Sequence, residues 1–529
     1  METPQKMDRF AARAAGRRRA LGYKVTLLLV LAVCLAISGL AQHQLNRQRS
    51  ELSVSFLEPL QDAPPVLAFV STSLGGFKGL VSSLLWFRVN ELQNEKKYAE
   101  LVQLTDWITK LQPFIPMVWT DRAWNLTYNI SVAHPNPVDR WHYVYQGISL
   151  LRDEGLRYNP QEPLLYHELS WHFQHKMGQN LDQHHFYYKQ QWLNRMTEVL
   201  WDTPQEASAS KGRPDFDRLI NPDNEKSAAR RKRLVEEYKI DPIRMKEVDT
   251  IYGPLEWRLP EVHSIYWAWL GMEKCKENPA RKNILKKLQR SLFQSMQMTF
   301  VRGKLVFDPY SKSFDYGANL EIIKKANQAY VDMAEQLEEK DIKEGVFDHA
   351  HWNFVRHAIS QLYLHNQQTE AREWLKYLVK HFPKKIDFEP TFVNGNINLD
   401  DFCLHRIEED IKSGGQDRAK SLVEGLIGNA YYFFTIGEDG QAEGHLLMAK
   451  RVVARYEARS STAETGRVDL PPFEYSQKLI LHRFLYDTNT PPAMQAALRS
   501  RLGIGATEKI ALPPPPIRTS TNSIVKPKL

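Results

Sequence analysis

Cysteine is scarce in this 529-residue chain: Cys34, Cys275 and Cys403 are its three, widely separated and in no CxxC or zinc-finger spacing. Cys34 falls inside an apolar run, so Cys275–Cys403 is the one conceivable disulfide, and a chain of this length has no need of such a staple. Catalytic signatures are missing too. There is no GxxxxGK[ST] loop, no GxGxxG following a strand and no GxSxG elbow, and the glycines of "IGEDGQAEGH" suit a helix-hairpin turn. No isolated pair of acids stands out as a buried hydrolytic pair. Excess charge is absent from the body. The net charge of +8 is concentrated at the ends, with Lys6, Arg9, Arg13, Arg17, Arg18, Arg19 and Lys24 facing only Glu2 and Asp8, and with Arg518, Lys526 and Lys528 in the tail. A nucleic-acid binder concentrates basic charge on its folded surface, so nucleic acid is not an expected partner. The internal cluster "ARRKRLVEEYK" (229–239) carries its own acids and reads as a solvated helix end.

What is present begins with one uncharged run. Val25 to Ala41 follows an arginine cluster, and its seventeen residues rise about 25 Å as a helix, at the short end for a hydrocarbon core. We read 1–24 as a basic cytoplasmic segment and 25–42 as a transmembrane signal anchor. A signal peptide cleaved after Ala41 is the competing reading. The Lys/Arg bias is expected to keep the N-terminus in the cytoplasm and to place the body outside it, which is the periplasm if the cell is of Gram-negative type. Segment 43–79 is a juxtamembrane linker. A second apolar stretch, 66–87, would return the body to the cytoplasm if it spanned. Lys78 opposes that, at about 2.5–3.5 kcal/mol on insertion scales, as do Gly75, Gly76 and several serines.

Beyond the linker the chain reads as helices punctuated by prolines. "KYAELVQLTDWITKLQP" (97–113) closes a 34-residue unit, 82–115, in which Leu85, Leu92, Tyr98, Leu101, Ile108 and Pro113 recur at fixed spacing. "PMVWTDRAWNL" opens a second unit with Trp119, Ala123 and Leu126, and "PLLYHELSWHFQHKMG" opens a third with Tyr166 and Phe173. Units return at 351–383 and at 423–456, the latter with Leu426, Ala430, Phe433, Gly437, Ala442, Leu446 and Ala449. These stretches resemble tetratricopeptide repeats, with Val89 standing where the family favours Gly or Ala. The resemblance implies an all-α fold, a right-handed α-solenoid of helix hairpins. The second unit is thirteen residues too long, and "TYNISVAHPNPVD" is assigned to a link between its two helices. The expected organisation is repeats over 80–200, an irregular insertion with a short helix over 201–260, further helical repeats over 261–505 and a disordered proline-rich tail over 506–529.

The same resemblance implies a partner-binding concave face. Carried onto this register, it comprises Trp86 and Asn90 in the first unit and Met117, Thr120 and Trp124 in the second. The third unit contributes His167, Trp171, Gln174 and His175. Family members that clamp a peptide carboxylate use Lys and Asn; here Asn90 is present but Trp86 replaces the Lys. An aromatic, uncharged stripe therefore points to an extended peptide segment with apolar or aromatic side chains. The rival occupant is a helix of the chain itself, from 261–300. His172, His175, His184 and His185 are the remaining metal candidates, with only Asp182 for support, and we expect no metal and no cofactor. A scaffold or assembly factor in an envelope process is the expected role. A hydrolase or metalloprotein within 160–270, or a glycan binder using exposed aromatics, are the alternatives.

Overall fold

The computed structural model describes most residues of 23–47, 78–308, 313–335, 346–386, 391–460 and 470–514. The basic segment before Tyr23, most of the linker including 66–77, and the tail beyond 514 lie outside the described residues. Within them the chain is predominantly helical, with two short antiparallel β-ribbons. Tyr23–Leu45 is one helix (α1), long and apolar enough to cross a membrane and with its side chains exposed. Among the described residues no other helix meets that test. The contacts divide the chain into two units, the first comprising 1–191, 235–239 and 266–291 and the second the remainder.

In the first unit, α2 (Lys78–Asn94) and α3 (Tyr98–Leu111) form a hairpin. Val89, Leu92, Leu101 and Ile108 meet Val118, Leu126 and Ile130 in one buried cluster. The turn is made by Lys96 at φ 56°, which lets the Lys97 N–H reach back to the Leu92 carbonyl at 2.9 Å. This six-to-one bond satisfies a carbonyl that the helix end would otherwise leave open. The second unit repeats the device twice. Asn366 (φ 59°) joins α14 (Val346–Leu364) to α15 (Gln368–His381), with Gln367 N–H on the Leu362 carbonyl at 2.8 Å. Gly437 (φ 80°) joins α17 (Gly415–Thr435) to α18 (Asp439–Ser460), with Glu438 N–H on the Phe433 carbonyl at 3.0 Å. The three hairpins are thus closed by one turn design, at three of the stretches singled out by their spacing.

Prolines set the next boundaries. α4 (Pro116–Trp124), α5 (Pro137–Ser149) and α6 (Pro163–Trp171) each begin on one, where the missing N–H is no loss. Asn136 and Glu162 accept from Val138 and Leu164 N–H to cap α5 and α6. Each helix then widens into a π turn, Asn125–Ile130, Leu150–Gly155 and His172–Gly178 respectively. This corrects the expectation for the second repeat, the one opening at Pro116. The extra residues "TYNISVAHPNPVD" are not a loop: the π turn and a 3₁₀ turn, Ser131–Ala133, prolong α4, and only 134–136 connect it to α5. Gly147 explains how α4 and α5 pack, because a Cβ there would overlap Thr127 Oγ1 at 2.1 Å and touch the Ala123 carbonyl at 3.0 Å. α7 (His185–Leu200) follows.

The stretch 201–260 is more ordered than expected. It holds three helices, α8 (Phe216–Ile220), α9 (Glu225–Glu236) and α10 (Pro242–Tyr252), around a buried polar hub in the second unit. Asp249 accepts from Arg213 Nε (2.6 Å), Leu255 N–H (3.0 Å) and Trp257 Nε1 (3.2 Å). Arg258 grips Glu256 through two bonds of 2.7 Å, both side chains buried. α11 (Pro260–Glu277) and α12 (Lys282–Arg302) follow, then the ribbon β1 (Lys304–Asp308) and β2 (Ser313–Gly317), paired Lys304 to Gly317. α13 (Ile323–Glu335) precedes α14. A shorter ribbon, β3 (Phe392–Val393) with β4 (Asn396–Ile397), leads into α16 (Leu399–Ile411). α19 (Phe473–Tyr486) and α20 (Pro492–Arg501) close the described chain. Ala430 and Ala442 are fully buried, as close helix packing in the last hairpin requires.

Candidate functional site

The candidate site lies in the first unit, where α4 and α6 with their π turns bring rings together. On α4, Trp124 stacks on Tyr128 one turn later, with centroids 4.2 Å apart. On α6, Trp171 stacks on His175 at 4.5 Å and 12°, and on His167 at 6.4 Å and 21°. The two columns meet where the Tyr128 hydroxyl lies 3.1 Å from His175 Nδ1. Their spacing follows from helical geometry, since residues four apart share a face.

A buried polar layer holds this stripe from behind. Asp182 Oδ2 receives Lys176 Nζ at 2.8 Å, and Asp182 Oδ1 receives Arg140 at 3.1 Å and the His184 N–H at 2.9 Å. Lys176 also donates to Ser131 Oγ (3.2 Å) and lies over the Tyr128 ring at 5.2 Å. Burial pulls the Lys176 ammonium below its ordinary range, against the opposing pull of Asp182. For Asp182, burial opposes the charged form, but Lys176, the His184 amide and Arg140 outweigh it and lower its pKa. Burial and then the Glu168 charge raise the Tyr128 phenol, so it stays neutral.

The nine expected groove residues divide by exposure. Met117 is 56% and Trp124 42% exposed, Asn90 is exposed, and His167, Trp171 and His175 are half-buried. Thr120 and Gln174 are buried, so a docked partner would not reach their side chains. Trp86 is half-buried because it packs on the Val89–Leu92 cluster. Four residues outside that set belong to the site: Asp121, Tyr128, Glu168 and Lys176. Glu168 sits 3.1 Å from His167 Nδ1. Burial favours its neutral form, but the bond from His167 and the nearby His172 and His167 keep its pKa low. Asp121 is pushed up, by partial desolvation of its inner side and then by Glu168. The stripe is therefore aromatic with an acidic margin rather than uncharged.

The metal candidates take separate partners. His172 is fully buried with Nδ1 donating to the Glu168 carbonyl (2.7 Å), and burial holds it neutral. His184 Nε2 is 3.0 Å from the Pro135 carbonyl, and His185 Nδ1 lies 3.0 Å from Lys189 Nζ. Among the described residues no cluster of three or more His, Cys, Asp or Glu could hold a metal. The rival occupant from 261–300 covers a neighbouring face: Trp267 meets Tyr166 at 6.2 Å, and a Cβ on Gly271 would strike the Tyr166 Cβ at 2.8 Å. Tyr166 is buried in consequence, while Trp171 and His175, farther along α6, keep part of their surface in solvent. No protein-family model, curated protein or solved structure matches this chain.

Proposed function

We propose that the chain is a single-pass, membrane-anchored helical-repeat scaffold, its body a tetratricopeptide-like α-solenoid on the extracytoplasmic side, that holds an extended protein segment. The observation that carries this reading is the part-exposed ring stripe, Trp124–Tyr128 and His167–Trp171–His175, fixed on two helices by the Asp182 ion network. Large, rigid aromatics at low entropic cost are the residue types that dominate binding energy at protein interfaces. A glycan platform fits less well, because Trp171 already stacks with two imidazoles and has little free face to offer a sugar. The helix Tyr23–Leu45 supports the anchor.

The test places a photo-crosslinking residue at Trp124 or His175 in the full chain in native membranes. Capture of a defined polypeptide, abolished by Trp171→Ala with thermal stability nearly unchanged, is the expected result. A loss of about 3–5 kcal/mol on Trp124→Ala or Trp171→Ala, the scale for emptying a packed aromatic site, would mean that these tryptophans are core, and the scaffold reading would lose its site.

A further inference from the structure

α2 is apolar on two sides. Its inner face, with Ser82, Val89 and Leu92 buried and Leu85 and Trp86 packed alongside, closes on the first unit's core. Its outer face carries Leu80, Leu84 and Phe87, which are 59%, 62% and 73% exposed. Spaced by four and three, these residues form one stripe that ends at Glu91. A surface helix normally shows polar residues on its outer face, and on α2 the polar Ser83, Arg88 and Asn90 only border this apolar stripe.

We propose that this outer face of α2 lies on the lipid bilayer into which α1 inserts, as an interfacial helix rather than a second span; this rests on the membrane anchor of the function proposed above. Three observations select lipid over a protein cover. First, the sequence running into α2, "VLAFVSTSLGGF" (66–77), is also free of charge, so the apolar character continues toward the anchor side of the chain. Second, only 32 residues, 46–77, separate α1 from α2, so α2 is tethered to the membrane that holds α1. A weak interfacial helix then acts at high effective concentration. Third, the stripe is aliphatic with one phenylalanine, and Arg88 flanks it at a position from which a long cationic side chain meets headgroups. Arg88 is exposed and pairs with Glu91 at 2.9 Å on the stripe's margin.

The test uses the full chain in phosphatidylethanolamine and phosphatidylglycerol vesicles. Native Cys34, exposed on α1, carries an environment-sensitive fluorophore as the anchor reporter, because Cys275 and Cys403 are buried. In a Cys34→Ser background the label moves to Leu84→Cys or to Gln93→Cys, half a turn round α2 and exposed. Labels at positions 34 and 84 are expected to be quenched several-fold more by nitroxide-bearing lipid than the label at 93, and to be sheltered from aqueous iodide. Iodide quenching at 84 equal to that at 93, with lipid quenching intact at 34, overturns the proposal while leaving the anchor in place. Shelter at 84 from both quenchers means that a protein covers the stripe, and also overturns it. Failure of lipid quenching at 34 removes the anchor itself, and the proposal with it.

Discussion

His263 provides a sharp test of the buried hub. Its ring stands edge-on to Trp192 at 4.8 Å and 89°, and to Trp257 at 6.0 Å and 87°. Nε2 donates to the Trp257 carbonyl at 2.9 Å. The residue is fully buried, and desolvation outweighs that bond and lowers its pKa to about 3. In the unfolded chain the same ring titrates near 6.5. The folded value lies below the unfolded one, so protons favour the unfolded state as the pH falls. The stability that neutral His263 permits is complete above about 6.5 and is lost progressively down to about 3. Linkage puts the loss at about 2 kcal/mol by pH 5 and about 4 kcal/mol by pH 3. Buried His172 and His351 shift in the same direction and add to the acid sensitivity. His263→Gln retains a donor at the Nε2 position without a titrating ring. Urea unfolding followed by tryptophan fluorescence is expected to show the stability drop between pH 7 and pH 5 reduced by about 2 kcal/mol in the variant. An equal drop in both proteins, or an imidazole that titrates near pH 6 by NMR of labelled histidine, refutes the reasoning.

The hairpin turns predict opposite signs for two kinds of change. Lys96→Gly and Asn366→Gly are each expected to raise thermal stability by about 0.5–1 kcal/mol, since both residues occupy the left-handed region that glycine enters without cost, and Gly437→Ala to lower it by about 1–2 kcal/mol; a loss on Lys96→Gly would contradict the turn argument. For topology, a reporter active only outside the cytoplasm and fused after Leu529 is expected to be active, whereas activity from a cytoplasmic reporter alone would place the body on the other side.

Apolar spacing and proline were enough to read several helices of the first unit, because Pro116 and Pro163 open helices and the buried Leu101, Ile108, Val118 and Leu126 recur at helical intervals, whereas Pro137, which opens α5, falls in the stretch assigned to the link. The π turns left no such mark. An added residue in a helical turn shifts the face without changing composition, so Tyr128 passed for part of a link when it is the ring that joins the two columns. The hub over 249–263 was hidden for another reason. Asp249, Glu256 and Arg258 look like surface charge until their mutual pairing is known, and pairing across such intervals is not written in periodicity. Lys96 and Asn366 were equally silent, since neither announces a left-handed turn as Gly437 does.

Besides α1, the ring stripe and the outer side of α2 are apolar surfaces among the described residues of the first unit, and their chemistry differs in a way that suits different surroundings. Along α4 and α6 the rings carry polar atoms already engaged by neighbours: the Tyr128 hydroxyl with His175, and His167 with Glu168. An acidic margin from Asp121 and Glu168 adds direction. A surface of that kind can distinguish one polypeptide from another, because a partner must match fixed donors, acceptors and charge as well as shape. Along the outer side of α2, Leu80, Leu84 and Phe87 offer no polar atom. Nothing there specifies a sequence or an orientation, and a medium that asks for neither suffices, as acyl chains do. On the proposed reading, α2 would set how the first unit meets the membrane, and the ring stripe would set what it holds there. Mutations that add charge to α2 should alter membrane contact with little effect on partner choice, and changes at Trp124 or Trp171 should do the reverse.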